Sequence, residues 1–205
     1  SLVPGNHFST YDLVQPLFSS LTTIDSEGEL SYLAAESVES DDAQVWTITL
    51  REGWTFHDGE PVTAQDYVDT WNYAAYGPHG WVNGPQLARV AGYADLNPTE
   101  GEPAATELSG LTVVDELTFT VELVAPDRQF PLQLTSGQTG LYPLPSEALA
   151  DVAAWEENPV GNGPFRLVDG WAPTSPIEAV AYEDYAGPAP SVEAVTFVPY
   201  LDTAT

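Results

Sequence analysis

The stretch from Val45 to Tyr76, VWTITLREGWTFHDGEPVTAQDYVDTWNYAAY, limits the choice of fold more than any other, because two hydrophobic periods follow one another within it. Trp46, Ile48 and Leu50 alternate with Thr47 and Thr49, which predicts a strand with one buried face. Asp58-Gly59 is a turn dipeptide, since Gly tolerates the positive φ that such turns need. Pro61 resists helix before it. Thr63 stands where an N-cap belongs, and Asp66 three residues later makes an acidic variant of the capping box. Ala64, Tyr67, Val68, Trp71, Ala74 and Ala75 then recur at helical spacing, with Gln65, Asp66, Asp69, Thr70 and Asn72 on the other side. The stretch predicts a strand, a tight turn and an amphipathic helix packed on a sheet.

The rest of the chain alternates helix and strand signals. Leu13, Val14, Leu17, Phe18 and Leu21 predict a helix over Thr10 to Leu21 with Thr10 as its cap, kinked or shortened by Pro16. Leu21 to Asp25 reads as a short strand and Ser26 to Glu29 as a turn. Gly77 to Thr106 is rich in Gly, Pro and Asn, and a long irregular stretch inside a compact domain is usually functional or disordered. Leu111 to Leu123 predicts a hairpin turning at Asp115-Glu116, with Phe119, Val121 and Leu123 on one face and Thr118, Thr120 and Glu122 on the other. Short helices are expected from Pro126 to Leu134 and from Pro145 to Glu157, the second capped by Ser146.

Composition excludes several classes. With 205 residues the chain suffices for one domain or one large lobe, and needs no staple. It has no Cys, hence no disulfide framework, thiol nucleophile or Cys-ligated metal. There are 31 acidic residues against 4 basic ones, all Arg, for a net charge of −27. Nucleic acid and anionic membrane surfaces need the opposite sign. The acidity fits a solvated surface, adaptation to salt, or steering of cationic ligands, and the charge count separates none of these. No apolar run approaches the ~20 residues that span a bilayer. Ser1 to Thr10 does not read as a signal peptide, so an exported protein would have lost its leader. The chain ends abruptly, in LDTAT after a strand at Val192 to Pro199.

No catalytic or metal constellation emerges. His7, His57 and His79 never pair at helical spacing, and His57, beside the Asp58-Gly59 turn, reads as structural. The acid pairs Asp41-Asp42 and Glu156-Glu157 are expected by chance in so acidic a chain and read as solvated faces. Neither a nucleophile elbow nor a phosphate loop is present. Most of the 6 Trp, 10 Tyr and 7 Phe belong to the core, and a minority exposed in a cleft would suit a peptide or glycan.

Three ordered blocks resemble the family 5 extracellular solute-binding proteins of ABC importers. The first comprises Ala35-Glu36-Ser37, the strand Trp46 to Leu50, Leu50-Arg51-Glu52-Gly53, Phe56-His57-Asp58-Gly59, Pro61-Val62-Thr63-Ala64 and Asp66. Val38 replaces the usual aromatic after Glu-Ser. The second is NPVGNGPFRL, Asn158 to Leu167. There Gly161 and Gly163 allow a sharp bend and close backbone approach, Asn162 replaces the usual Thr and suits positive φ, and Pro164 launches a strand. The third runs from Tyr182 to Phe197.

The resemblance implies an α/β fold, an α+β mixed sheet with helices on its faces. It would be the first lobe of a type II periplasmic-binding-protein-like fold. Residues 1–40 would start the main lobe, 41–159 would form an inserted small subdomain, 160–205 would return to the main lobe, and the second ligand-binding lobe would be absent. The implied function is capture of oligopeptides and delivery to ABC permease subunits in the membrane. The protein would be a monomer, a lipoprotein anchored on the extracellular face of the cytoplasmic membrane or free in a periplasm. It would have no catalytic residue, no cofactor and no metal ligands legible in this chain. Val3, Pro4, Gly5 and Asn6 in the first loop, with Trp81 and Asn83 after the signature helix, are the implied ligand-binding residues. Nickel, haem and oligosaccharide remain open as ligands. The competing readings are an extracellular glycoside hydrolase or a glycan-binding module, against which stand the signature block and the expected helices.

Overall fold

The computed structural model describes residues 2–3, 11–135, 141–170 and 175–198. In chain order the elements are α1 (Tyr11–Leu17), β1 (Thr22–Ile24), β2 (Leu30–Tyr32), β3 (Ala35–Glu39), β4 (Val45–Leu50), α2 (Ala64–Ala75), α3 (Tyr93–Leu96), β5 (Leu111–Asp115), β6 (Thr118–Glu122), α4 (Phe130–Gln133), α5 (Val152–Glu157), β7 (Phe165–Leu167), β8 (Ile177–Ala181) and β9 (Ala194–Phe197). Single 3-10 turns occupy Gly77–His79, Gly84–Arg89 and Ser146–Ala150. Helices pack on sheets, as an α/β fold requires. The described strands divide among three sheets, a β1-β2 ribbon, β3-β4-β6-β5 and β7-β8-β9, with every pairing antiparallel.

The four-stranded sheet and α2 form the unit that the sequence foretells most completely. β4 lies between β3 and β6, with Trp46 opposite Val121 and Ile48 opposite Phe119. Trp46, Ile48 and Leu50 are buried, and so is every apolar position named on α2. The Phe119 ring stacks on Tyr67 at 5.7 Å and meets Trp71 edge-on at 5.6 Å. The capping box is present, with Thr63 N–H donating to Asp66 Oδ2 at 2.8 Å and Asp66 N–H donating to Thr63 Oγ1 at 3.4 Å. Gly59 closes the turn at φ 92°.

The polar side of α2 departs from expectation. Asp66 and Thr70, placed by spacing on the solvated side, are buried. Asp66 Oδ1 accepts from Ser146 N–H at 3.1 Å and from Ser146 Oγ at 3.0 Å, while Thr70 Oγ1 accepts from Leu144 N–H at 2.9 Å. A strand of chain from another part of the sequence covers them, and hydrogen bonds offset their burial. Ser146 is thereby occupied as a partner of α2 and caps nothing. The expected helix from 145 to 157 breaks at Asp151, whose Oδ1 caps α5 by accepting from Ala154 N–H at 3.0 Å.

Other boundaries shift for local reasons. α1 stops at Leu17, one residue past Pro16. α4 covers only Phe130–Gln133. In the β5-β6 hairpin Asp115 pairs with Thr118, so Glu116-Leu117 make the turn and Asp115 Oδ1 accepts from Leu117 N–H at 3.0 Å. The stretch from Gly77 to Thr106 is folded. Pro78 and Pro85 open its 3-10 turns, where a missing N–H costs nothing. Asn97 Nδ2 donates to Ala75 O at 2.6 Å, which ties the stretch to the end of α2, and Asn72 Oδ1 accepts from Leu108 N–H just beyond it at 2.8 Å. Ala91 N–H donates to Glu122 O at 2.9 Å and prolongs the sheet edge.

Candidate ligand-binding groove

Among the described glycines, those of the second sequence block leave the least room for a side chain. Gly163 N–H donates to Leu17 O at 2.9 Å. A Cβ on Gly161 would stand 2.0 Å from Leu17 O, and one on Gly163 would stand 2.4 Å from Leu17 C. The glycines are therefore required by close approach. The expected positive φ at Asn162 is absent, since Ala43 is the one non-Gly residue with positive φ among the described residues. Asn162 is instead wholly buried between the two glycines, and its Oδ1 accepts from Ser19 N–H at 3.0 Å.

His57 holds the same loop from the signature turn. Its Nδ1 accepts from Gly161 N–H at 3.2 Å, and its Nε2 lies 3.0 Å from Gly163 O. A carbonyl only accepts, so Nε2 carries the proton and the ring is neutral. Burial pushes the imidazole down to about 4, and the Arg166 charge pushes the same way, against the Gly163 hydrogen bond and the Asp58 charge. Tyr182 packs edge-on against the ring at 5.1 Å and donates from its hydroxyl to Phe56 O at 2.8 Å.

A groove of about 360 Å³ opens beside this knot. Phe18, Ser19, Tyr142, Pro164, Phe165 and Tyr185 are among the residues that line it, and none of the described lining residues carries a charge. Ser19 Oγ and Tyr185 OH are 2.9 Å apart. Burial raises the Tyr185 hydroxyl above its ordinary pKa, opposed in part by the Ser19 bond, so it stays protonated. Trp54 braces Tyr185 edge-on at 5.4 Å, and Tyr142 lies against Phe18 at 5.6 Å. Neutral hydroxyls beside aromatic faces can bond main-chain N–H and C=O groups while stacking apolar side chains.

Val3, Trp81 and Asn83, implied by the sequence, are not among the described residues that line this groove. Val3 is buried, and Leu2 N–H beside it donates to Glu156 Oε1 at 2.9 Å, which ties the segment to α5 and takes Glu156 out of a purely solvated role. Pro4, Gly5 and Asn6 lie outside the described residues. Trp81 is buried against Tyr73, ring centroids 5.1 Å apart, at the C-terminal end of α2. Asn83 stands two residues on, its O accepting from Gln86 N–H at 2.9 Å, and its Nδ2 is buried without a hydrogen-bond acceptor among the described residues. The structure thus groups Trp81 with Asn83 and joins Val3 to a different element. Ser19, Tyr142 and Tyr185 escaped notice because their meeting depends on contacts up to 166 positions apart. Tyr185 does stand in the third sequence block, the one signal that could have pointed to it. Among the described residues no group of three or more His, Cys, Asp or Glu could hold a metal ion.

Known proteins share this architecture. Residues 29–205 match the bacterial extracellular solute-binding proteins, family 5 Middle. The chain is 30% identical over 208 residues to the periplasmic oligopeptide-binding protein OppA of Escherichia coli, covering 95% of this chain and 36% of that protein. The oligopeptide-binding protein OppA of Bacillus subtilis is 28% identical over 192 residues, with 90% and 34% covered. The solved complex of Haemophilus influenzae OppA with RPPGFSPFR superposes with a TM-score of 0.82 at 28% identity, over 97% of this chain and 39% of that one. The chain spans about a third of the length of the curated relatives it matches.

Proposed function

Because this chain belongs to the family 5 bacterial extracellular solute-binding proteins, we propose that it is the first lobe of an ABC-importer component that captures oligopeptides. The observation that carries the reading is the superposition on a peptide-bound relative over 97% of the chain. The uncharged groove supports it, since hydroxyls and aromatic faces recognise a peptide main chain without selecting side-chain charge. A second lobe, in the remainder of a full-length protein, closes on the ligand by hinge motion and the complex docks on a membrane permease. Residues 41–159 act as the inserted subdomain between 1–40 and 160–205. Val3 to Asn6, Trp81 and Asn83 are proposed as ligand contacts of the full-length protein, separate from the groove lined by Ser19 and Tyr185. The protein works as a monomer in a periplasm or anchored by lipid outside the membrane.

The test uses the full-length protein purified without denaturation. It is unfolded, and the small molecules released are identified by mass spectrometry. A ladder of peptides is the expected result. A single metal, haem or sugar replaces the ligand while keeping the family. Release of nothing, with turnover of a glycan that is lost on replacing one carboxylate, overturns the capture reading in favour of a hydrolase.

A further inference from the structure

The 161–163 loop is gripped by a residue 104 to 106 positions earlier in the chain. His57 uses its two ring nitrogens in opposite senses, Nδ1 accepting from Gly161 and Nε2–H donating to Gly163, a pattern that one tautomer of neutral imidazole supplies and imidazolium cannot. The backbone N–H of His57 adds a third link, to Gly161 O at 2.8 Å. The gripped loop in turn holds the groove. Asn162 Oδ1 fixes Ser19 N–H, and Ser19 Oγ fixes the Tyr185 hydroxyl. Asn162 Nδ2 is buried with no acceptor among the described residues, so the Oδ1 bond and the position of the loop are what orient this amide. An unbroken path of contacts therefore runs from the His57 ring to Ser19 and Tyr185, two of the residues that line the groove.

We propose that His57 is a positioning residue for the groove: by fixing the 161–163 loop it holds Asn162, and through it Ser19 and Tyr185, ready to bond the main chain of a peptide. The inference rests on the groove being a peptide site. The groups that face the ring are Asp58 on its own turn, Arg166 on β7, and Tyr182 just after β8. Neither charged neighbour replaces its two contacts to the loop, because Arg166 has no acceptor and Asp58 no donor.

The experiment takes the full-length protein with His57, with His57→Ala and with His57→Asn, whose amide can still accept from Gly161. Amide hydrogen exchange is followed at Ser19 and Gly163, and at Val68 in α2 as a reference. Affinity for the nonapeptide RPPGFSPFR is measured from pH 7 to pH 4. His57→Ala is expected to speed exchange at Ser19 about tenfold or more with Val68 unchanged, and to weaken peptide binding by a similar factor. His57→Asn is expected to recover part of both, and it carries the test if His57→Ala fails to fold. The unsubstituted protein should lose affinity as the ring protonates near pH 4, more steeply than His57→Asn does. Unchanged exchange at Ser19 overturns the proposal, as does an equal acceleration at Val68, which would mark a general loss of stability. Failure of the unsubstituted protein to bind this or other peptides overturns the peptide reading, and the Ser19 exchange then still decides whether His57 holds the loop.

Discussion

The unit of α2 with the β3-β4-β6-β5 sheet and the knot of residues 16–19, 57, 161–163 and 182–185 hold together in opposite ways. In the first, large side chains fill the space, with Trp71, Tyr67 and Phe119 in one aromatic cluster. In the second, side chains are missing where they would obstruct, and two backbones meet at Gly161 and Gly163. The first is stabilised by apolar area removed from water, the second by hydrogen bonds that only close approach allows. The difference teaches that the two regions should fail under opposite substitutions, truncation in one and addition in the other.

The sharpest way to break that contrast is to add one methyl group. Gly161→Ala puts a Cβ against the Leu17 carbonyl, which is backbone and cannot rotate away. We expect a loss of about 5 kcal/mol or more in chemical denaturation, with the protein failing to accumulate folded. Trp71→Ala removes a whole indole that is 1% exposed and should cost about 4 kcal/mol by the same measurement. If the methyl at position 161 costs less than the missing indole, the knot is looser than the geometry requires and the contrast fails.

A smaller effect separates the two regions by pH. In the folded protein His57 takes up a proton only near pH 4, against an ordinary value of 6.5. Its folded value is depressed, so between those values the unfolded chain binds more protons and stability falls as pH falls. The loss from this group amounts to about 3 kcal/mol at most and levels off below pH 4. Denaturation midpoints at pH 7 and pH 4.5 should show the advantage of the unsubstituted protein over His57→Asn shrinking. The penalty of Trp71→Ala should stay constant over the same range, because Trp71 and Phe119 do not titrate and burial pushes the Tyr67 hydroxyl further above its ordinary value. A penalty that moves with pH would mean that the two regions are coupled.

What could be read from the chain follows the same division. The strand of Val45–Leu50, the Asp58-Gly59 turn, the Thr63 cap and the apolar stripe of α2 are all written in neighbouring residues. So is the β5-β6 hairpin, to within its turn. The glycines of the second block could be read as points of close approach, although not what they approach. Asp66 and Thr70 could not be placed, because their spacing puts them on the polar side of α2 and only Ser146 and Leu144, 80 and 74 positions later, bury them. The stretch from Gly77 to Thr106 reads as irregular because its order comes from Ala75 and Glu122 outside it.

By itself the sequence determined the periodic elements, the acidic charge that disfavours nucleic acid, and the three ordered blocks that lead to the family. Each depends on composition or on residues within a few turns or strands of one another. The tertiary structure alone decided that His57 is a neutral clamp, that Asn162 is a buried acceptor for Ser19, and that Ser19 and Tyr185 share a groove wall. Those assignments need hydrogen bonds between groups more than a hundred positions apart, and a hydrogen bond depends on distance and angle, which no local pattern of residues encodes.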